Sequence, residues 1–193
     1  MYIKKFCFLI LLTAISFTCS FGQIKLGIDV NANFPKEGFN NYYKNGFGGD
    51  AYLKFLFLRR HLSLGAKVGY LKFPSKNNST DLNYTEIALL PVKGNFEIYL
   101  LTRGIKPFIG IDFGYYNFNV GQKDQQGNTR YHQKGYLGYA PLIGIGFGLL
   151  EHLDLNITGR MERIYSSDQN DQAVQEFKNL MYFDVLVGAS FTF

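Results

Sequence analysis

The feature that most constrains this chain is a long, strict two-residue alternation. In IKLGIDVNANF, Ile24, Leu26, Ile28, Val30, Ala32 and Phe34 are apolar, and Lys25, Gly27, Asp29, Asn31 and Asn33 sit between them. Successive side chains of a β-strand point to opposite faces, so the stretch has one oily face and one polar face. With 47% apolar residues, six matches in six arise by chance in roughly one window in a hundred. HLDLNITGRMERIY repeats the pattern, with Leu153, Leu155, Ile157, Gly159 and Met161 against Asp154, Asn156, Thr158, Arg160 and Glu162. FDVLVGASFTF repeats it again, with Phe183, Val185, Val187, Ala189, Phe191 and Phe193 on one face.

The alternation predicts eight strands, over 24–34, 47–58, 61–73, 84–100, 106–119, 136–149, 153–165 and 181–193. The fourth is the least regular, because IALLP is apolar on both faces; Pro91 is read as a bulge. Long polar connections cover 35–46, 74–82, 121–135 and 166–179. Tight turns fall near Arg59–Arg60, Thr102–Gly104 and Glu151–His152. In an up-and-down barrel this rhythm gathers the long connections at one end and the short turns at the other, as in barrels of outer membranes. The predicted fold is all-β, an eight-stranded antiparallel up-and-down transmembrane β-barrel.

The first 22 residues read as a leader. MYIKK is cationic, FCFLILLTAISF is apolar, and Ser20 and Gly22 are small residues placed for cleavage before Gln23. The apolar run is shorter than the roughly 20 residues of a spanning helix. Lipoprotein processing at Cys19 is the rival reading, disfavoured by Phe17 and Thr18 just before it. The predicted organisation is therefore a signal peptide over 1–22 and one barrel domain over 23–193. Both cysteines, Cys7 and Cys19, fall in the leader, so the exported part has no thiol for a disulfide, a metal or a nucleophile.

Composition bears on the solvent. Charged residues make up only 18% of the chain, while Phe and Tyr number 19 and 14. A water-soluble domain of this make-up has to bury nearly all its aromatics. The net charge of +5 falls to +3 once Lys4 and Lys5 are set aside, too small and dispersed for nucleic acid. The polar faces carry Lys25, Lys54, Lys67, Lys93 and Arg160 against Asp29, Asp50, Glu97, Asp112, Asp154, Glu162 and Asp184. Five cations against seven anions suit an enclosed lumen, where an unpaired charge is costly. If the fourth hairpin is centred on Thr102 and Arg103, Lys93 lies opposite Asp112 and pairs with it. A soluble lipocalin-like barrel is the alternative; its apolar faces would point inward.

In GYLGYAPLIGIGFG, Gly138, Ala140, Gly144, Gly146 and Gly148 share a face and leave room for long side chains from neighbouring strands. Aromatics gather near the long connections (Phe34, Tyr42, Tyr43, Phe47, Tyr70, Tyr84, Tyr115, Tyr116, Tyr136, Tyr139, Tyr165, Tyr182) and near the short turns (Phe55, Phe57, Phe108, Phe191, Phe193). They are read as two interfacial girdles.

GASFTF, with Gly188, Phe191 and Phe193, resembles the C-terminal signal by which bacterial outer-membrane barrels are recognised for assembly, although Leu186 stands where that signal prefers a polar residue. YTEIALLPVKGNFEIYL with IKPFIGIDFGYY, and NLMYFDVLVGASFTF, resemble the middle hairpin and closing strand of the small outer-membrane β-barrel domain family, which includes OmpX-like and PorT-like barrels. The resemblance implies export through the periplasm, an outer-membrane location, contact with membrane lipid and lipopolysaccharide, and handling by the barrel-assembly machinery. It places the termini and short turns in the periplasm and the long loops outside. The expected function is non-enzymatic, structural or surface-binding through the external loops, with a filled lumen and no large pore. An alternative is a PorT-like accessory component of a secretion or envelope-assembly complex with a protein partner.

Some barrels of this kind modify lipid A, which takes a serine activated by a histidine. His61 and His152 fall at the short turns, and His132 at the tip of the longest loop. Ser75, Ser166 and Ser167 lie in other loops. No catalytic, cofactor or metal site is assigned; Asp168, Asn170 and Asp171 lack a calcium-loop pattern. Lys36, Lys44, Lys76, Lys123, Arg130, Lys134 and Lys178 scatter positive charge over the loops, suited collectively to phosphate.

Overall fold

The alternating stretches pair in chain order into a closed ring. A computed structural model describes residues 23–76, 84–123, 129–165 and 179–193. The strands are β1 (Gln23–Lys36), β2 (Gly46–Phe57), β3 (Leu62–Pro74), β4 (Tyr84–Tyr99), β5 (Ile105–Lys123), β6 (Thr129–Gly148), β7 (Leu153–Tyr165) and β8 (Asn179–Thr192). Each is antiparallel to its neighbours, and β1 closes the barrel against β8. One short helix, α1 (Phe39–Tyr42), lies in the first connection. Closure runs to the last residue, whose Phe193 N–H donates to the Ile24 carbonyl at 2.8 Å.

The faces sort by solvent. Ile28, Val30, Val68, Val92, Phe113, Ile143, Ile157 and Val187 all point outward and are exposed, Ile143 at 65%. Arg160, at 1%, and the acidic residues around it point inward. This excludes the lipocalin-like packing, whose apolar faces would fill the interior.

Toward the long connections the pattern inverts. Leu71, Phe73, Ile87, Leu89, Tyr116, Phe118, Tyr136, Ile164, Leu180 and Tyr182 turn inward and, with Phe39 and Tyr43, form an apolar plug. Phe73 meets Tyr182 edge-on at 5.3 Å and Phe118 meets Tyr136 at 5.2 Å. At that level polar residues join tyrosines on the outer face: Lys72 pairs with Glu86 at 2.7 Å, and Gln133 and Arg163 are exposed alongside Tyr115 and Tyr165. A second small cluster, Leu56, Tyr99, Phe108 and Leu142, lies toward the short turns. The lumen is thus layered rather than polar throughout. The girdles need the matching correction, because Tyr43, Tyr116, Tyr136, Tyr182 and Phe108 are buried inside. Phe47, Tyr70, Tyr115 and Tyr165 remain on the outside.

Three local expectations change. The segment 121–135 is mostly strand, since Gln122 pairs with Arg130 and Lys123 with Thr129; outside an oily layer the alternation that marks a strand fades. His132 therefore lies within β6, opposite Val120, and not at a loop tip. The irregularity in β4 lies at Tyr84/Glu86, not at Pro91. Pro91 and Pro141 interrupt their ladders without shifting them: Val68↔Val92 and Leu71↔Leu89 share one register, as do Tyr139↔Arg163 and Leu142↔Arg160. Proline has no N–H to donate, so the ladder skips it while the pleat continues.

The β2–β3 turn is unusual. Leu58, Arg59 and Arg60 take φ values of 47°, 56° and 73°, and His61 N–H donates to the Leu58 carbonyl at 3.2 Å. Positive φ at both central residues is what a type I′ hairpin turn demands, and Asn-Gly usually supplies it. Each non-glycine residue held there costs about 1 kcal/mol.

Candidate functional site

The small face of β6 makes the charged lumen possible. A Cβ on Gly138 would lie 2.8 Å from the Tyr116 ring, and one on Gly144 would lie 2.3 Å from Phe108. Large side chains from β5 occupy this space, and the other strands, the flanking β5 and β7 included, supply the charges.

Arg160 on β7 is the centre. Its Nη1 lies 2.9 Å from Asp50 on β2 and 3.3 Å from Asp112 on β5, Nη2 lies 2.8 Å from Asp184 on β8, and Nε lies 2.8 Å from Glu162. One guanidinium therefore ties together strands from both sides of the barrel. Lys93 on β4 reaches across to Glu162 at 2.9 Å, and the Tyr116 hydroxyl donates to the same carboxylate. A second group surrounds Glu97: Lys54 at 2.7 Å, Lys67 at 3.7 Å, and donation from the Tyr99 hydroxyl at 2.8 Å. Lys67 also pairs with Asp112 at 3.2 Å, and Asn95 donates to Asp112 at 2.6 Å, which joins the groups. The third group lies nearest the short turns, where Asp154 is shared by Lys25 at 2.9 Å and Lys106 at 2.6 Å.

Two placements differ from the sequence reading. Asp112 faces Asn95, and Lys93 faces Gly114, because Gly104 at φ 64° moves the centre of the hairpin one residue on. Lys93 and Asp112 still form the expected ion pair, but as diagonal neighbours at 3.9 Å. Asp29 points inward yet makes no ion pair or hydrogen bond to a described residue; it lies opposite Asp50 and Gly188, where no described cation comes within pairing distance. Lys106 is the cation the sequence reading missed, although its even spacing from Asp112 puts it on the inward face.

Among residues read as an assembly signal, Gly188 has a steric reason of its own. A Cβ there would stand 2.2 Å from the Ile28 carbonyl and 1.9 Å from the Asp29 carboxylate. Gly188→Ala is expected to cost about 1–3 kcal/mol of folding stability by overpacking, read as a lower urea midpoint. Gly94→Ala is the control, since its nearest neighbour would be 3.8 Å away. Phe191 and Phe193 face outward with rings 4.9 Å apart, and His152 lies against Phe191 at 5.7 Å.

His61, at the β2–β3 turn, contacts the Tyr99 carbonyl through Nδ1 at 2.9 Å. Ser75 bonds the neighbouring Lys76 carbonyl at 3.4 Å. Lys76 in turn donates to the Asn40 carbonyl at 2.5 Å. Ser166, Ser167, Asp168, Asn170, Asp171 and Lys178 lie outside the described residues, as do positions 1–22.

No protein-family model matches the chain, and no curated protein matches it significantly. Solved structures do. Neisserial surface protein A aligns with a TM-score of 0.60 at 14% identity over 89% of this chain and 97% of its own. Ail, the attachment invasion locus protein of Yersinia pestis, crystallised with the heparin analogue sucrose octasulfate, aligns at 0.57 and 13% over 90% and 99%. A major outer membrane protein of Thermus thermophilus aligns at 0.56 and 13% over 88% and 99%. The fold is that of the small outer-membrane β-barrels. In this barrel the exposed apolar belt meets lipid, and the ionised groups stay within the cylinder.

Proposed function

We propose that the chain is an integral outer-membrane protein without enzymatic activity, exported behind a leader over 1–22, whose barrel over 23–193 holds its long connections rigidly at the cell surface. The observation that carries this reading is the change of polarity along the strands, from an apolar exterior around the ion network to an exterior of charged, polar and tyrosine side chains around the aromatic plug. An interior filled by side chains suits a mount rather than a pore. Basic residues on or beside the long connections, Lys36, Lys44, Lys76 and Lys123 among them, suit contact with surface phosphates such as those of lipopolysaccharide. The neighbour Ail, crystallised with a polysulfated sugar, supports polyanion binding as the class of interaction. In this reading Gly188, Phe191 and Phe193 serve recognition by the assembly machinery, besides their packing.

The orientation is testable because residues 23–193 contain no cysteine. With a membrane-impermeant maleimide on intact cells, Gln126→Cys is expected to label. Arg103→Cys is expected to label only after the outer membrane is opened. Reversed labelling would refute the orientation, and recovery of the protein in the soluble fraction would refute the location.

A further inference from the structure

The end of the barrel opposite the long connections has its own chemistry. A cavity of about 840 Å³ opens there, walled by the β2–β3, β4–β5 and β6–β7 turns. Arg59, Arg60, His61, Arg103 and Lys106 line it, with Glu151 the one acidic residue among the described residues of the lining. The guanidinium groups of Arg59, Arg60 and Arg103 make no ion pair or hydrogen bond to a described residue. On the floor, Lys25 and Lys106 share the single carboxylate of Asp154, leaving one positive charge over. Arg60 reaches down beside these two lysines, lining the throat between mouth and floor.

Backbone strain singles out the same place. Arg59 and Arg60 hold left-handed conformations that glycine or asparagine would take without penalty. Strain kept at a concave, charged mouth points to use rather than to folding.

We infer that the short-turn mouth binds a phosphorylated anion carrying at least two negative charges. Guanidinium forks match phosphate oxygens in pairs, and three arginines lining one concavity favour a multiply charged group over a single carboxylate. The cavity is larger than a lone ion needs and falls within the range of small-molecule sites, about 300–1,000 Å³. The phosphate could belong to a free solute or to a lipid headgroup folded over the rim. The inference does not depend on which side of the membrane the mouth faces.

The test is calorimetric titration of pyrophosphate into the full barrel in neutral detergent at low salt. Saturable single-site binding is expected, weakened about tenfold or more by Arg59→Asn/Arg60→Gly and by Arg103→Gln. The Asn-Gly variant should at the same time unfold at higher urea, because it supplies the residues the turn prefers. Binding lost while stability rises separates a ligand site from a merely structural turn. Absence of saturable binding, binding unchanged in both variants, or citrate binding as tightly as pyrophosphate would each overturn the inference. Repeating the titration in phosphatidylcholine nanodiscs with and without phosphatidylglycerol identifies the source. Competition by the anionic lipid indicates a headgroup, and unchanged affinity indicates a free phosphate.

Discussion

Arg160→Met is expected to lose about 3–5 kcal/mol of folding stability, the largest effect of any single change in the lumen. Arg160 is the contact shared by Asp50, Asp112, Glu162 and Asp184, all within 3.3 Å of its guanidinium. Methionine fills much of the volume but leaves four carboxylates facing one another, with only Lys93 and Lys67 close by. The expense lies in those stranded charges, not in the pairs themselves, whose net worth against an apolar filling is small. Two further variants isolate the cause. Arg160→Lys keeps the charge and loses the fork, so it should fall between. Asp184→Asn added to Arg160→Met should restore part of the loss by removing one stranded anion. Urea titration of folding into vesicles, scored by the folded and unfolded bands on unheated gels, reads all three. An Arg160→Met protein within about 1 kcal/mol of the parent would refute the central role of the ion network.

The second large effect lies on the outside. Val187 pairs with Val30 on one side and Ile157 on the other, in the middle of the apolar belt. Val187→Arg is expected to cost about 2–4 kcal/mol when the barrel folds into a bilayer, and Tyr70→Arg, at the edge of the belt, about 0–1 kcal/mol. The dependence on depth is the diagnostic. On a water-facing barrel an arginine at Val187 would be close to neutral, and equal costs at the two positions would remove the assignment of the belt to lipid.

Strand number, order and inward face were legible from sequence because they depend only on parity. A period of two sends Lys25, Asp50, Lys67, Glu97 and Asp184 to one side whatever their register. Most partners were not legible, because apart from the directly opposed Arg160 and Asp184 the short ion pairs between lumen strands skip a neighbouring strand. Lys54 and Glu97 are 43 residues apart with β3 between them, and Arg160 and Asp50 are 110 apart. Lys93 and Asp112 do form an ion pair, but diagonally at 3.9 Å and not face to face, because the hairpin centre shifts toward the left-handed Gly104. The plug was hidden for another. Tyr116, Tyr136 and Tyr182 have the parity of the lumen, but their apolar rings suggested the lipid face, and only the change of solvent along the strand reconciles the two. The Asp29 carboxylate shows the limit of counting charges, since facing inward did not bring it a partner among the described residues.

The point where polarity reverses also sets a thickness. On β3 the outward residues stay apolar from Leu62 to Tyr70 and turn cationic at Lys72. Eight steps of about 3.3 Å, tilted as barrel strands are, span roughly 20 Å, close to the hydrocarbon layer such barrels cross. A thicker bilayer would have to thin around the protein or bury Lys72 and Glu86, so hydrophobic mismatch disfavours every membrane of the cell but a thin one.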